Sequence, residues 1–230
     1  MIKNVVFDIG KVLIEFDWKK FMHTLFTDEQ VIEAVTQSIW NSGWWPEMDR
    51  GAMPEQEILD HIYEESGEYR KEAEYTMEHF GECIGKQEYA IPWVKELKAM
   101  GYNVYFLSNY SDFLIRSNPD ALRFREYMDG GVFSFEEHLI KPDAAIYNRL
   151  CEKYELVPEE TLFIDDIQAN IDAAMAAGIK GIRFDGYEIT RPIIMGYLKT
   201  GSEELLATRP AQVVDDGIDW NAWKNITEGE

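Results

Sequence analysis

The sequence has few of the residues that build disulfide frameworks or transition-metal sites. Its 230 residues include two cysteines and four histidines. Cys83 and Cys151 lie far apart in helical patterns, so they form neither a CxxC metal pair nor a disulfide framework. The histidines lack the i, i+4 spacing of a zinc helix, so any metal is expected to bind oxygen ligands. These features indicate a reducing compartment, and we predict a cytoplasmic protein.

Long apolar runs and clusters of basic residues are also lacking. No window approaches the length of a transmembrane helix, and the first twenty residues do not resemble a signal peptide. The chain has 22 Lys and Arg against 43 Asp and Glu, a net charge of −21. This charge repels nucleic acid and anionic membranes, so we expect neither as a partner. No pattern sets an oligomeric state.

What the sequence does contain is an alternation of strand and helix patterns. Apolar, β-branched runs predict strands at residues 2–7, 103–107, 161–164 and 182–184. Each of the later strands follows a helix pattern, at residues 92–100, 142–154 and 167–177. This order predicts an α/β fold with three layers and a mostly parallel sheet.

Two further segments differ from this pattern. Residues 17–88 show apolar residues at helical spacings without a convincing strand, which predicts a helical insertion after the first strand. Its Trp40, Trp44 and Trp45 are either a substrate wall or ordinary core, and aromatic residues at helical spacing favour core. Beyond residue 201 the chain becomes an acidic, tryptophan-containing extension.

Polar residues follow the predicted strands at one edge of the sheet. They are Asp8, Ser108, Asn109, Asp165 and Asp166, with Lys141 ahead of a helix between the strands at residues 103–107 and 161–164. Side chains at the carboxyl ends of parallel strands converge on a ligand-binding crevice. Three carboxylates there would repel one another unless a cation neutralises them, and hard oxygen ligands suit Mg²⁺. A hydroxyl, backbone N–H groups and an ammonium suit a phosphoryl group, so a small phosphorylated metabolite is the expected partner.

Four segments at these strand ends, VVFDIGKVL, FLSN, KPD and FIDDIQAN, resemble the haloacid dehalogenase superfamily of aspartate-nucleophile hydrolases. The resemblance extends from residue 1 to about residue 185. It implies a Rossmann-like core of residues 1–16 and 89–200, a small α-helical cap of residues 17–88 and an acidic C-terminal extension of residues 201–230. The DIGKVL form, the Asp49-Arg50-Gly51 sequence and SNY further resemble a branch with phosphatases that act on glucose 1-phosphate.

The resemblance also implies a role for each motif residue. Asp8 would be the nucleophile and would form an aspartyl-phosphate. Ser108, Lys141 and the backbone N–H of Asn109 would hold the phosphoryl oxygens. Asp8, the backbone carbonyl of Gly10 and Asp166 would bind Mg²⁺. Asp165 would either bind the metal or orient Lys141, with Asn170 supporting it. Arg50 would either recognise the substrate or pair with a nearby carboxylate.

Gly10 departs from the usual superfamily pattern, in which a second aspartate at this position protonates the leaving oxygen. General acid–base catalysis is typically worth about 10²–10⁴-fold in rate. Three explanations remain open: another group replaces it, the substrate has a good leaving group, or turnover is lost. Asp49, Glu15 and His23 are candidate replacements. The sugar-phosphatase branch also carries glycine here, and a phosphate on an anomeric carbon leaves as a relatively acidic oxygen.

We therefore expect a Mg²⁺-dependent phosphatase for a small phosphate monoester, with a sugar phosphate as the narrower expectation. Two alternatives stay open. A 2-haloacid dehalogenase shares the fold and an aspartate nucleophile, although the paired Asp165 and Asp166 favour a metal enzyme. The other alternative is a phosphate-binding protein in which Gly10 marks lost catalysis.

Overall fold

The computed structural model describes residues 1–207, and its centre is a five-stranded parallel sheet. The strands of the described chain are β1 (Asn4–Phe7), β2 (Ile14–Phe16), β3 (Ile84–Lys86), β4 (Asn103–Ser108), β5 (Gly130–Phe133), β6 (Thr161–Asp165) and β7 (Lys180–Arg183). The order in the large sheet is β5-β4-β1-β6-β7. β1 is therefore central and pairs in parallel with β4 on one side and β6 on the other.

The central strand is apolar because both faces of the sheet are covered. All four residues of β1 are buried. Val5 and Phe7 pack into one hydrophobic cluster and Val6 into a second cluster on the opposite face. Alternate residues of a strand point to opposite faces, so a strand between two helical layers reads as a continuous apolar run. The predicted three-layer α/β fold is confirmed.

Five helices follow β2 and precede β3. They are α1 (Trp18–Leu25), α2 (Glu29–Ile39), α3 (Trp44–Arg50), α4 (Glu55–Glu65) and α5 (Arg70–Glu78). We call residues 17–83 the helical insertion. Trp40 and Trp45 lie in its core, where Trp40 stacks on Trp18 at 4.6 Å between ring centroids and Trp45 stacks on Phe80 at 5.0 Å. The interpretation of these two tryptophans as core residues is correct.

A short strand closes the helical insertion, where the sequence predicted none. β3 pairs antiparallel with β2, with Glu15 opposite Gly85 and Phe16 opposite Ile84. The prediction of helix alone over residues 17–88 is wrong at this point because three residues containing a glycine are too short to show strand alternation. The pair holds the entry and the exit of the helical insertion side by side.

The remaining helices flank the large sheet and end the described chain. They are α6 (Ala90–Ala99), α7 (Asp112–Ser117), α8 (Ser134–Glu137), α9 (Ala144–Tyr154), α10 (Gln168–Ala176), α11 (Tyr187–Thr200) and α12 (Glu204–Ala207). None of the helices within residues 1–207 has the length and hydropathy needed to cross a bilayer. The division into core, cap and C-terminal extension stays a prediction, and residues 208–230 of that extension lie outside the described part.

The edge strand β5 was not predicted from the sequence. It begins with Gly130 and Gly131, and glycine normally argues against a strand. A Cβ added at Gly131 would lie 2.3 Å from the ring of Phe106 on the neighbouring strand, so a side chain there would collide with β4. The glycine is thus explained by the ring of Phe106, which occupies the space of a side chain at this position and which local sequence does not reveal.

Candidate active site

The carboxyl ends of β1, β4 and β6 meet beside one cavity of about 50 Å³. Asp8 directly follows β1, and its backbone N–H donates to Ile164 O of β6 at 2.8 Å. Ser108 ends β4 and Asp165 ends β6. The cavity is lined by Asp8, Gly10, Lys11, Phe16, Trp45, Asp49, Ser108, Asn109, Tyr110, Leu114, Lys141, Asp166, Ile167 and Asn170.

Lys141 joins two of the predicted carboxylates. Its Nζ donates to Asp8 Oδ1 at 2.8 Å and to Asp165 Oδ2 at 2.6 Å, and the side chain is almost fully buried. Burial opposes the charged form, but the carboxylates of Asp165 and Asp8 outweigh it and raise the pKa of Lys141 to about 12. Lys141 is therefore a permanent cation against the carboxylate of Asp8.

The side chain of Asn109 fixes the backbone of Lys141. Asn109 Oδ1 accepts from Lys141 N at 2.8 Å, and Asn109 Nδ2 donates to Lys141 O at 3.0 Å. This reciprocal pair ties the loop after β4 to the segment before α9. The sequence predicted only a backbone contribution from Asn109, so this positioning role of the side chain is a finding of the structure.

The oxygens of Asp165 are already engaged by protein groups. Oδ1 accepts from Ile167 N at 2.8 Å, and Asn170 Nδ2 lies 3.1 Å from both oxygens. Together with the bond from Lys141, these contacts favour the orienting role over the metal-binding role left open by the sequence. Burial raises the pKa of Asp165 to about 6, although Lys141 acts in the opposite direction.

The third carboxylate, Asp166, has no comparable partner. Burial raises its pKa well above the usual range, and the nearby Asp165 and Asp8 raise it further. The nearest ammonium in an ion pair is Lys11 Nζ, at 3.9 Å. Carboxylate oxygens of Asp8, Asp165 and Asp166 all lie within 4.8 Å of one another. Such crowding is relieved by a cation, and hard oxygen donors around a small space fit Mg²⁺.

Ser108 and Gly10 both lie at the cavity, as expected for residues next to a bound phosphate and metal. Ser108 is buried, and within the described part of the chain its hydroxyl makes only a long contact of 3.5 Å to Asn109 O. A Cβ added at Gly10 would meet no atom within 4 Å. The place where the superfamily usually carries a second aspartate is therefore open space.

Arg50 is not brought to the cavity. Its Nε donates to Glu47 Oε2 at 2.7 Å and its guanidinium donates again to Glu47 Oε1 at 3.0 Å. Glu47 is completely buried, so its carboxylate needs a nearby counter-charge, and the i, i+3 spacing on α3 supplies one. Of the two situations expected for Arg50, the structure shows the pairing with a carboxylate, and substrate recognition by Arg50 stays a prediction.

Of the three candidate acids, only Asp49 lines the cavity. Its side chain is buried at the end of α3, and burial followed by the charge of Asp8 raises its pKa well above the usual range. Glu15 is exposed on β2. His23 is also exposed, 3.9 Å from the exposed Glu29. Neither residue lines the cavity.

Sequence reasoning missed most of the wall that faces Asp8. Tyr110 follows Ser108 and Asn109 directly, so its place after a strand end was a usable signal. Phe16 and Leu114 gave no local signal. Trp45 was weighed as a wall residue, and it both packs in the core and touches the cavity. The Tyr110 hydroxyl is buried without a hydrogen-bond partner among the described residues, and burial raises its pKa above the usual range.

Known phosphatases are among the proteins similar to this chain. A sesquiterpene phosphatase of Aspergillus oryzae is 27% identical over 186 residues, which cover 78% of this chain and 88% of the relative. A D-ribitol-5-phosphate phosphatase of Bacteroides thetaiotaomicron is 26% identical over 197 residues, covering 78% and 90%. These alignments span most of both proteins in each case.

The fold is shared with solved structures as well. A HAD family enzyme from Bacteroides thetaiotaomicron, crystallised with magnesium and inorganic phosphate, superposes with a TM-score of 0.69 and 23% identity, covering 84% of this chain and 99% of that structure. The family model described as haloacid dehalogenase-like hydrolase matches residues 2–178, which include all four strand-end motifs. The chain therefore belongs to the haloacid dehalogenase-like hydrolases.

Proposed function

We propose that this hydrolase is a Mg²⁺-dependent phosphatase that cleaves a small phosphate monoester through an aspartyl-phosphate on Asp8. The observation that carries the proposal is the bridge from Lys141 Nζ to Asp8 and Asp165 at the carboxyl end of β1. It leaves Asp8 beside a fixed cation and beside the crowded carboxylate of Asp166. The names of the phosphatase relatives support the same reaction class.

In this mechanism Asp8 attacks the phosphorus and the ester oxygen departs on the opposite side. Lys141, the Ser108 hydroxyl and the backbone N–H of Asn109 would hold the remaining phosphoryl oxygens. Positive and hydrogen-bonding groups fixed around developing charge are the main source of rate in phosphoryl transfer. Water then attacks the phosphorus of the intermediate and releases phosphate, so that the Asp8 carboxylate is regenerated.

Asp8, Asp166 and the backbone of Gly10 would hold Mg²⁺. When bound, the ion supplies charge neutralisation between the carboxylates and the phosphoryl oxygens. The contacts of Asp165 support a separate role for that residue. Its oxygens receive Ile167 N–H, Asn170 and Lys141, so it would keep the lysine aimed at Asp8 without binding the metal.

A sugar phosphate is the narrower proposal for the substrate. Gly10 leaves open space where an acid usually stands, and a sugar phosphate on an anomeric carbon needs less help in departing. We also propose that residues 17–88 act as a cap over the cavity, since Trp45 and Asp49 of the helical insertion form part of its wall. The cytoplasmic location stays a prediction.

An activity screen tests the proposal. The chain is assayed on p-nitrophenyl phosphate and a panel of sugar and polyol phosphates, with Mg²⁺ and with chelator, and on 2-chloropropionate. We expect phosphate release that requires Mg²⁺ and no release of chloride. Metal-independent chloride release would contradict the proposal and show that the protein is a dehalogenase. Phosphate binding without turnover of any ester would replace it with a phosphate-binding protein.

A further inference from the structure

We infer that Asp49, from the helical insertion, is the catalytic acid and base that replaces the aspartate missing at Gly10. The inference rests on the proposed phosphatase reaction and assigns a residue to its proton transfers. It starts from an unusual observation: a buried carboxyl group with a free acceptor lines the same cavity as the nucleophile.

The carboxyl group of Asp49 has an unsatisfied atom in the cavity. The residue is 1% exposed, and its Oδ1 has no hydrogen-bond partner within residues 1–207. Buried polar atoms are normally hydrogen-bonded, and an exception in a native structure needs an explanation. Because Asp49 and Asp8 line the same cavity, a substrate bound at Asp8 is the partner that this oxygen lacks.

The backbone around Asp49 is fixed against the sheet domain. Ser134 Oγ, at the start of α8, donates to the backbone O of Asp49 and accepts from Tyr110 N at 2.8 Å. Gly51 follows with φ 65°, and a Cβ there would lie 2.7 Å from Phe135 Cβ. The end of α3 therefore packs tightly on α8, which holds the carboxyl group at a defined place in the lining of the cavity that Asp8 shares. A general acid requires such a fixed position.

The other polar group on this wall is a weaker proton donor. The Tyr110 hydroxyl also lacks a hydrogen-bond partner among the described residues, but burial and then the charge of Asp49 raise its pKa above that of an ordinary phenol. This hydroxyl can donate a hydrogen bond to the substrate, but its raised pKa makes it a poor general acid. The same burial, with Asp8 nearby, favours the protonated form of Asp49, which is the form that an acid needs.

The proton transfers balance over one turnover. In the first step Asp8 bonds to phosphorus, the bond from phosphorus to the ester oxygen breaks, and Asp49 gives its proton to that oxygen, so that a neutral alcohol leaves. In the second step the Asp49 carboxylate takes a proton from water as the water oxygen bonds to phosphorus. The bond from phosphorus to Asp8 breaks, phosphate is released, and both aspartates return to their starting forms.

Esters with different leaving groups test this assignment. Asp49→Asn is compared with wild type on an alkyl phosphate from the activity screen and on p-nitrophenyl phosphate, whose nitrophenolate departs without protonation. Formation of the intermediate should fall by about 10²–10⁴-fold on the alkyl ester and should change little on the nitrophenyl ester. Hydrolysis of the intermediate loses its base in both cases, so the variant should release a burst of one nitrophenolate per site.

The controls separate catalysis from structure. Asp60→Asn removes an exposed carboxylate from α4 of the same helical insertion and should behave as wild type. Asp49→Glu keeps a carboxyl group and should regain part of the alkyl-ester rate. Equal losses on both esters in the burst phase would overturn the assignment, as would a leaving-group dependence found in Tyr110→Phe and not in Asp49→Asn. An inert wild type would instead overturn the proposed function itself, and the assignment with it.

Discussion

The two walls of the cavity differ in how their polar groups are satisfied. The sheet wall, formed by Asp8 and Lys141 with Asp165 bound to the lysine, is held by short ion pairs within the protein. The far wall, formed by Asp49 and Tyr110, carries two buried polar atoms that have no hydrogen-bond partner within residues 1–207. The comparison indicates that the sheet wall is preorganised for the phosphoryl group, which every phosphate ester shares. The far wall gains its hydrogen-bond partners from the leaving group of the substrate.

The largest effect on activity is expected from the nucleophile. Asp8→Asn keeps the shape of the side chain but replaces a carboxylate oxygen with a poor nucleophile. Loss of a covalent nucleophile costs roughly 10⁴–10⁶-fold in kcat. The variant should therefore show no turnover above background on any ester in a steady-state assay, while thermal unfolding shows that it is folded. Residual Mg²⁺-dependent turnover near the wild-type rate would remove Asp8 from the mechanism.

The next largest effect is expected at the centre of the sheet wall. Lys141→Met conserves much of the volume and removes the charge that holds Asp8 and Asp165 together. Breaking a buried ion pair costs about 3–5 kcal/mol, so urea unfolding should show a loss of this size. Turnover should fall by roughly 10²–10³-fold as a phosphoryl ligand is lost. A small effect on both measurements would show that the ion pairs are not what preorganises this wall.

Asp166 should behave in the opposite way from Lys141. Without metal its partly buried carboxylate lies beside two others, so Asp166→Asn should raise the apoprotein Tm by roughly 2–4 °C for about 1 kcal/mol of relieved repulsion. With Mg²⁺ the variant should lose most of its activity. It should also lose the rise in Tm that the ion gives to wild type. These values come from thermal unfolding with and without Mg²⁺, and an unchanged magnesium response would place the metal elsewhere.

The smallest effect on turnover is expected at Arg50. Its guanidinium is bound to the buried Glu47, so Arg50→Gln should reduce stability by roughly 1–3 kcal/mol through the carboxylate it leaves unpaired. Surface Arg116→Gln, whose partner Glu55 is partly exposed, is the matched control and should cost less than about 1 kcal/mol. An increase in KM for the best ester of the panel, without loss of stability, would instead indicate that Arg50 recognises the substrate.

The sheet wall was predictable from the sequence, and the far wall was not. Asp8, Ser108 and Asp165 each follow or end an apolar run, and parallel strands bring such positions to one edge whatever their separation in the chain. The alternation of strands and helices gave the fold class for the same reason. These inferences depend on local patterns and on a general rule of topology.

The features that escaped prediction depend on contacts between distant segments. Asp49 reaches the cavity only because the end of α3 packs on α8, through Gly51 against Phe135. β5 pairs with β4 at a place where the ring of Phe106 covers Gly131, and β3 pairs with β2 from the other end of the helical insertion. Nothing in the residues near each position shows which remote element it will meet. The sequence also left the partner of Arg50 open. The spacing on α3 allows a pair with Glu47 but does not show whether that pair forms.

The central claim is that Asp8 carries the phosphoryl group during turnover. The most direct measurement is acid quenching of the chain while it turns over p-nitrophenyl phosphate with Mg²⁺, followed by mass spectrometry of its peptides. The account predicts one phosphoryl group on the peptide containing Asp8, labile to hydroxylamine as an acyl phosphate should be, and none in Asp8→Asn. Turnover by wild type with no phosphoryl group on that peptide, even in the slowly hydrolysing Asp49→Asn variant, would contradict the account.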